Sequence, residues 1–181
     1  MHTEYEVRIL EIDVEEVKKK LDNLGANLEW DHVQRRYVYD FIPKLEGKWI
    51  RLRTNGDKTT LTIKDIVTSK IDGTRELEIE VDDFDKTNLI LEELGYEAKG
   101  YQENRRAQYR LNGVEIDIDS WPLIPTYLEI EGKSEEEVYS IVELLGFTKD
   151  DITTRDVEGI YLDYGHDLET IYNLKLEEER K

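Results

Sequence analysis

The chain has 181 residues, with 25 Lys and Arg against 43 Asp and Glu, a formal net charge of -18 and no Cys. Those counts exclude a disulfide framework, a thiolate metal site and a thiol nucleophile. They also argue against a nucleic-acid partner, because duplex affinity rests on cations facing phosphate. Tyr, Trp and Phe are spread along the whole chain, unlike the composition of a charged disordered segment. No apolar run approaches the ~20 residues of a membrane span, and the N-terminus carries no secretory pattern, so a cytoplasmic protein without a membrane partner is expected.

In chain order, Glu4 to Ile9 alternates with period two, a strand signal. Asp13 then opens a helical stripe of Val14, Val17, Leu21 and Leu24, stopped by Gly25. A strand is expected around Val33 to Ile42. Trp49 to Thr54 and Thr59 to Ile66 flank Asn55-Gly56-Asp57 as a hairpin. Glu76 to Val81 reads as a strand, and Asp85 to Leu94 as a helix ended by Gly95. Arg105 to Leu111 and Glu115 to Ser120 form a second hairpin across Asn112-Gly113, and Tyr127 to Glu131 is a further strand. Ser134 and Glu137 make a capping box for a helix ending at Gly146. The tail offers short helical pieces at Val157 to Leu162 and Leu168 to Tyr172, then a charged run from Glu177 to Lys181 read as solvated helix. Three units share a loose grammar of strand, amphipathic helix and Leu-Gly, ending at Gly25, Gly95 and Gly146. No linker divides the chain, so one domain is expected over 1–181: a barrel over about 2–133, a helix at 134–146, and a C-terminal segment over 147–181 docked by Tyr161, Tyr164 and Tyr172. That segment could also form a lid over one end.

Residues i and i+2 of a strand share a face. One set of faces carries Glu4, Glu6 and Arg8; Arg51 and Arg53; Lys64; Glu76, Glu78 and Glu80; Asp117 and Asp119; Glu129 and Glu131. The opposite faces are apolar and would receive the helices. An open antiparallel sheet with a solvated charged face would show the same alternation. Two features favour closure with the charges inside. The charges are sorted by strand, cations on one hairpin and carboxylates on others, and closure removes exposed edges. Buried charges need partners, and cations suit phosphate oxygens as carboxylates suit Mg²⁺ or Mn²⁺.

The order of motifs is specific: Glu4-Tyr5-Glu6-Val7-Arg8, then Arg51-Leu52-Arg53, Lys64, Glu76 to Glu80 with Glu78 as its inward member, Arg106 before Tyr109, Asp119, and Glu129-Ile130-Glu131. Across residues 2 to 147 this set resembles the CYTH superfamily, the triphosphate tunnel metalloenzymes, which include class IV adenylate cyclases, thiamine triphosphatases and inorganic triphosphatases. The resemblance implies an α+β fold: a closed antiparallel β-barrel of about eight strands, forming a charged tunnel with helices outside. It implies Arg8, Arg51, Arg53, Lys64 and Arg106 on the triphosphate, and Glu4, Glu6, Glu129 and Glu131 on Mg²⁺ or Mn²⁺. Glu76 and Glu78 would support them, with Glu6, Lys64 and Asp119 as catalytic candidates. The implied reaction is class IV adenylate cyclase-like, ATP to cyclic AMP and pyrophosphate. Hydrolysis of an inorganic or nucleoside triphosphate, or non-catalytic polyphosphate or nucleotide binding, are the alternatives, and a homodimer fits many relatives. Two departures stand out. Arg8 replaces the signature lysine and cannot act as a base. Asn104 stands where a second basic residue is common, with Arg105 as the substitute, and either Arg35 or Arg36 must face outward.

Overall fold

The computed structural model describes residues 1–177. Positions 178–181, most of the charged run at the C-terminus, lie outside the described residues. Eight strands run as β1 (His2–Ile9), β2 (Asn27–Leu45), β3 (Lys48–Thr54), β4 (Thr59–Ile66), β5 (Thr74–Glu80), β6 (Ala98–Leu111), β7 (Val114–Ser120) and β8 (Tyr127–Gly132). Their order is β6-β2-β3-β4-β5-β1-β8-β7, and β6 also pairs with β7, so the ring closes with every pairing antiparallel. Closure turns one face of each strand inward and leaves the other to helices α1 (Val14–Leu24), α2 (Phe84–Glu93), α3 (Glu135–Leu144) and α4 (Val157–Asp163). Among the described residues no helix is long and apolar enough to cross a membrane.

Local chemistry sets the ends of these elements. Asp13, Asp83, Ser134 and Asp156 each accept a backbone N–H as N-caps, which satisfies a donor the first turn leaves open. Gly25 ends α1 at φ 75°, where a side chain would be strained. Asn112 and Gly113, both at positive φ, make the tight β6–β7 turn. Two strands are longer than the sequence reading: β2 begins at Asn27 instead of Val33, and β6 at Ala98 instead of Arg105. Each added stretch pairs with the already-read part of the other strand: Asn27 to His32 lie opposite Arg110 to Arg106, and Ala98 to Asn104 opposite Tyr39 to Gln34. Mixed polar and apolar stretches there give no clean alternation, and the cross-strand partner supplies the order.

The helices divide the outer surface. α1 and α3 cover β1, β7 and β8 through Val17, Leu21, Val138 and Ile141 packed on Val7, Ile116, Leu128 and Ile130. α2 follows β5 in sequence yet packs on β2 and β3, with Phe84 and Leu91 against Tyr39, Ile50 and Leu52. The outer face of β5 is therefore left open: Leu77 and Ile79 are 51% and 56% exposed, contrary to the expectation that helices cover every apolar face. The C-terminal segment adds two short strands, β9 (Ile152–Thr153) on β1 and β10 (Asn173–Leu174) parallel to β6, and a 3₁₀ turn at Leu168–Thr170. Tyr161, wholly buried, packs on Trp121 and donates to the Pro122 carbonyl at 2.6 Å. Tyr164 reaches Glu11, whereas Tyr172 holds the segment through its backbone, its carbonyl accepting from the Tyr101 N–H at 2.7 Å, with the residue 54% exposed.

Leu21 of α1 is fully buried between β-sheet and α3 side chains. Leu21→Ala is expected to cost about 3 kcal/mol of stability, the usual loss for a buried leucine cavity. Urea unfolding of the pure protein reads this as a lower midpoint at an unchanged slope.

Candidate active site inside the barrel

A cavity runs inside the barrel, with about 1170 Å³ of empty space including its open mouth. Its wall sorts by strand. β2 and β3 supply Arg36, Arg51 and Arg53; β4 supplies Lys64; β5 supplies Glu76; β1 supplies Glu4, Glu6 and Arg8. Arg106 comes from β6, Glu115 from β7, and Glu129 and Glu131 from β8. Ten of the sequence candidates thus share one cavity. Glu78 and Asp119 do not line it. Glu78 shares the inward face of Glu76 but stands just beyond the cavity, accepting from Thr62 at 2.7 Å and lying 3.6 Å from Arg51. Asp119 is wholly buried behind Arg106, which donates to it from Nε at 3.0 Å and from Nη2 at 2.5 Å.

Alternation along β7 also brings Glu115 inward, in register opposite Glu131. The sequence reading passed over it because it opens a strand, but it shares the face of Asp117 and Asp119. Arg36 is the inward member of its pair. Arg35 points outward over Phe84, and Arg105 binds Asp31 on the surface, so Arg105 does not make up for Asn104. One end of the cavity is lined by the C-terminal segment through Asp156, Val157, Glu158, Leu168 and Glu169. No sequence motif marks these residues, because docking of the segment alone puts them there.

Within this cavity most cations already face carboxylates. Arg8 donates to Glu6 at 3.0 Å, lies 2.6 Å from Glu129, and gives a third bond to the Arg155 carbonyl at 2.8 Å. Arg106 reaches Asp117 and Glu129 as well as Asp119. Lys64 donates to Glu4 at 3.0 Å, and Arg51 to Glu76 at 2.9 Å. Among the described residues Arg53 has only Glu78, at 3.9 Å. Ion pairs of this kind are tolerated inside because each partner removes the other's cost of burial.

Proton affinities follow from these neighbours. Against the upward push of burial, Arg8 and Arg106 hold the Glu129 carboxyl far below the ordinary range. Burial and a proton shared with Glu76 push Glu4 up, while Glu76, facing Lys64 and Arg51, is held low. Burial, then the neighbouring Arg51 and Arg106, bring Arg53 down to about 10. Glu131 is pushed up to about 7, by burial first and the facing Glu115 second. The carboxylate end is all hard oxygen donors, a chemistry that fits Mg²⁺ or Mn²⁺. Among the described residues no three such groups are already gathered at ligating distance, since Glu4, Glu6 and Glu129 lean on their cations. A metal would therefore draw them off those pairs.

The CYTH domain model matches residues 2–155. A protein of Pyrococcus horikoshii is similar in structure, with 25% identity and TM-score 0.74 over 87% of this chain and 98% of its own. A Vibrio parahaemolyticus protein, named only provisionally as an adenylate cyclase, gives TM-score 0.76 at 15% identity over 89% and 98%. A Hippeastrum protein named for adenylyl cyclase but described as having a dominant triphosphatase activity gives 0.63 at 19% identity over 92% and 97%. No curated protein matches the chain.

Glu131 also sets a pH dependence. Its carboxyl binds a proton more tightly folded than unfolded, so its contribution to stability is complete below the ordinary carboxyl range near 4.5 and is lost as pH rises through about 7. In chelator, Glu131→Gln is expected to raise stability by roughly 2 kcal/mol at pH 8 and by little at pH 4. Paired thermal melts at the two pH values check this.

Proposed function

The chain belongs to the CYTH domain family, and from that premise we propose that it is a divalent-metal-dependent enzyme acting on a triphosphate held inside the barrel. The observation that carries this reading is the sorting of buried charge in one cavity, Arg36, Arg51, Arg53, Lys64 and Arg106 along one wall and carboxylates, with Arg8 among them, along the other. Arg51, Arg53, Lys64 and Arg106 bind the phosphate oxygens, as guanidinium forks suit them. Arg8, with three acceptors of its own, braces Glu6 and Glu129 and contributes what positive charge they leave. Asp119 orients Arg106 without touching the substrate. Glu4, Glu6, Glu129 and Glu131, joined by Glu115, hold Mg²⁺ or Mn²⁺. The metal neutralises phosphate charge and polarises the phosphoryl group when bound. Asp156, Glu158 and Glu169 rim one mouth, and the C-terminal segment acts there as a lid that keeps water from the cavity.

Of the available reactions, hydrolysis of a phosphoanhydride asks least of these residues. It needs oxyanion contacts, a hard cation and water, and phosphoryl transfer is mostly positioning and charge stabilisation. The dominant triphosphatase activity described for the Hippeastrum relative supports the same choice. Class IV adenylate cyclase chemistry is the second reading, in which the ribose 3′-hydroxyl attacks and pyrophosphate leaves. Trp49 favours it, since this half-buried ring lines the cavity in register with Lys64 and offers a face to adenine.

Incubation with tripolyphosphate or ATP, each with Mg²⁺ or Mn²⁺, separates the readings by product. Orthophosphate and pyrophosphate from tripolyphosphate are expected. Cyclic AMP from ATP would install the cyclase instead. No product with a thermal shift on adding ligand would leave a binding protein, and neither product nor shift would refute the cavity's proposed role. Arg51→Ala and Arg53→Ala are each expected to lower turnover by about 100-fold, in line with losing one charge-stabilising donor.

A further inference from the structure

Arg36 is unlike every other cation in the cavity. It lines the wall, its residue is 5% exposed, and among the described residues no carboxylate stands within ion-pair range of it. Its Nη2 donates instead to two neutral amides, the Gln34 Oε1 at 3.1 Å and the Asn104 Oδ1. Its Nε, like those of Arg8 and Arg51, is shut away from water without an acceptor among the described residues. The guanidinium lies 4.5 Å from the centre of the Trp121 ring. In register it stands opposite Arg53, so it carries the row of Arg51 and Arg53 across to β2. Burial, then Arg53, Arg51 and Arg106, weaken its hold on its proton, and Asp119 offsets this only in part. Isolated buried charges are costly and are kept where a partner is to come.

The clamp around this side chain is built, not incidental. Asn104 accepts from Arg36 and donates its own Nδ2 to Asp119 at 2.7 Å, so a carboxylate fixes the amide that fixes the arginine. The Trp121 ring holds the flat face and is itself held edge-on by Tyr161 of α4. A residue kept only to fill space would not need a charge, two amide acceptors and an aromatic plate.

We propose that Arg36, clamped by Gln34, Asn104 and Trp121, is an additional anion subsite that takes a terminal phosphoryl group of a linear polyphosphate. The inference rests on the triphosphate reading above and narrows its substrate class. A terminal phosphoryl carries more charge than a bridging or esterified one, and Arg36 is the cation with none to spare its charge on. A nucleoside would then lie away from this end, and an unesterified chain would use the full row of Arg36, Arg53 and Arg51.

The test is calorimetric titration of the full chain with tripolyphosphate in chelator, alongside metal-free thermal melts, for wild type, R36Q and R36K. R36Q is expected to bind about 10- to 100-fold more weakly, the loss of charged hydrogen bonds, with R36K between the two because an ammonium keeps the charge but not the planar fork. Its metal-free melting temperature is expected to rise by about 2–4 °C, because a neutral amide removes an uncompensated buried charge. Unchanged binding in R36Q beside a tight-binding wild type would overturn the subsite and leave the triphosphate reading standing. Weaker binding with a lower melting temperature would make Arg36 a structural strut and also overturn it. Wild type that binds nothing in chelator or with Mg²⁺ added would overturn both readings together.

Discussion

The structure turns on one constraint: a closed barrel with charged inner faces must satisfy those charges with one another or with what enters its cavity. Each strand pairing of the ring places an inward arginine, lysine or carboxylate next to others, and the ring has no edge through which to expose them. The result is a set of internal ion pairs, Lys64 with Glu4, Arg51 with Glu76, and Arg8 and Arg106 sharing Glu129. Such pairs contribute little net stability compared with apolar packing, because both partners lose hydration. Stability instead comes from outside the barrel, where Val7, Ile116, Leu128 and Ile130 meet α1 and α3. The inner wall is thus free to be arranged for ligands at the expense of the outer wall's surplus.

Those two walls are coupled through the C-terminal segment. Tyr161, Ile160 and Leu174 form a small core with Trp121 and Tyr127, residues that also border the inner charges. Arg8 reaches from the first strand to the Arg155 carbonyl, just before α4. The segment therefore does two things with one docking event. It covers apolar surface at the end of β7 and β8, and it lends Asp156, Glu158 and Glu169 to the cavity's rim. A change at Arg8 would be felt at both sites, which is one physical consequence of an arginine with three acceptors in place of a lysine with a compact ammonium.

Much of this was legible in the chain because strand periodicity is two and the inner charges are sorted strand by strand. Alternation alone assigned Glu4, Glu6, Arg51, Arg53, Lys64, Glu129 and Glu131 to one set of faces, and the order of those motifs carried the family. Hairpins at Asn55-Gly56 and Asn112-Gly113 and the capping residues Asp13 and Ser134 are equally local signals, and each lies where it was read. The same logic could have found Glu115 two residues before Asp117. Where local pattern fails is informative. The first half of β2 and of β6 has no clean alternation, and each becomes a strand by pairing with the clearly alternating second part of the other. α2 looked fit to cover its own strand but covers β2 and β3, so Leu77 and Ile79 stay exposed.

By itself, then, the sequence determined the alternation, the caps and turns, the family motifs and the two signs of charge that the cavity would hold, since each depends only on residues near one another in the chain. Tertiary structure alone decided that Glu76 and not Glu78 lines the cavity, that Asp119 stands behind Arg106, that Arg36 turns inward while Arg35 and Arg105 turn out, and that α4 rims the mouth. Strand register and barrel tilt fix which inward residue meets which, and both are set by pairings between segments up to a hundred and more residues apart, as in β1 with β8. No single stretch of chain contains that information.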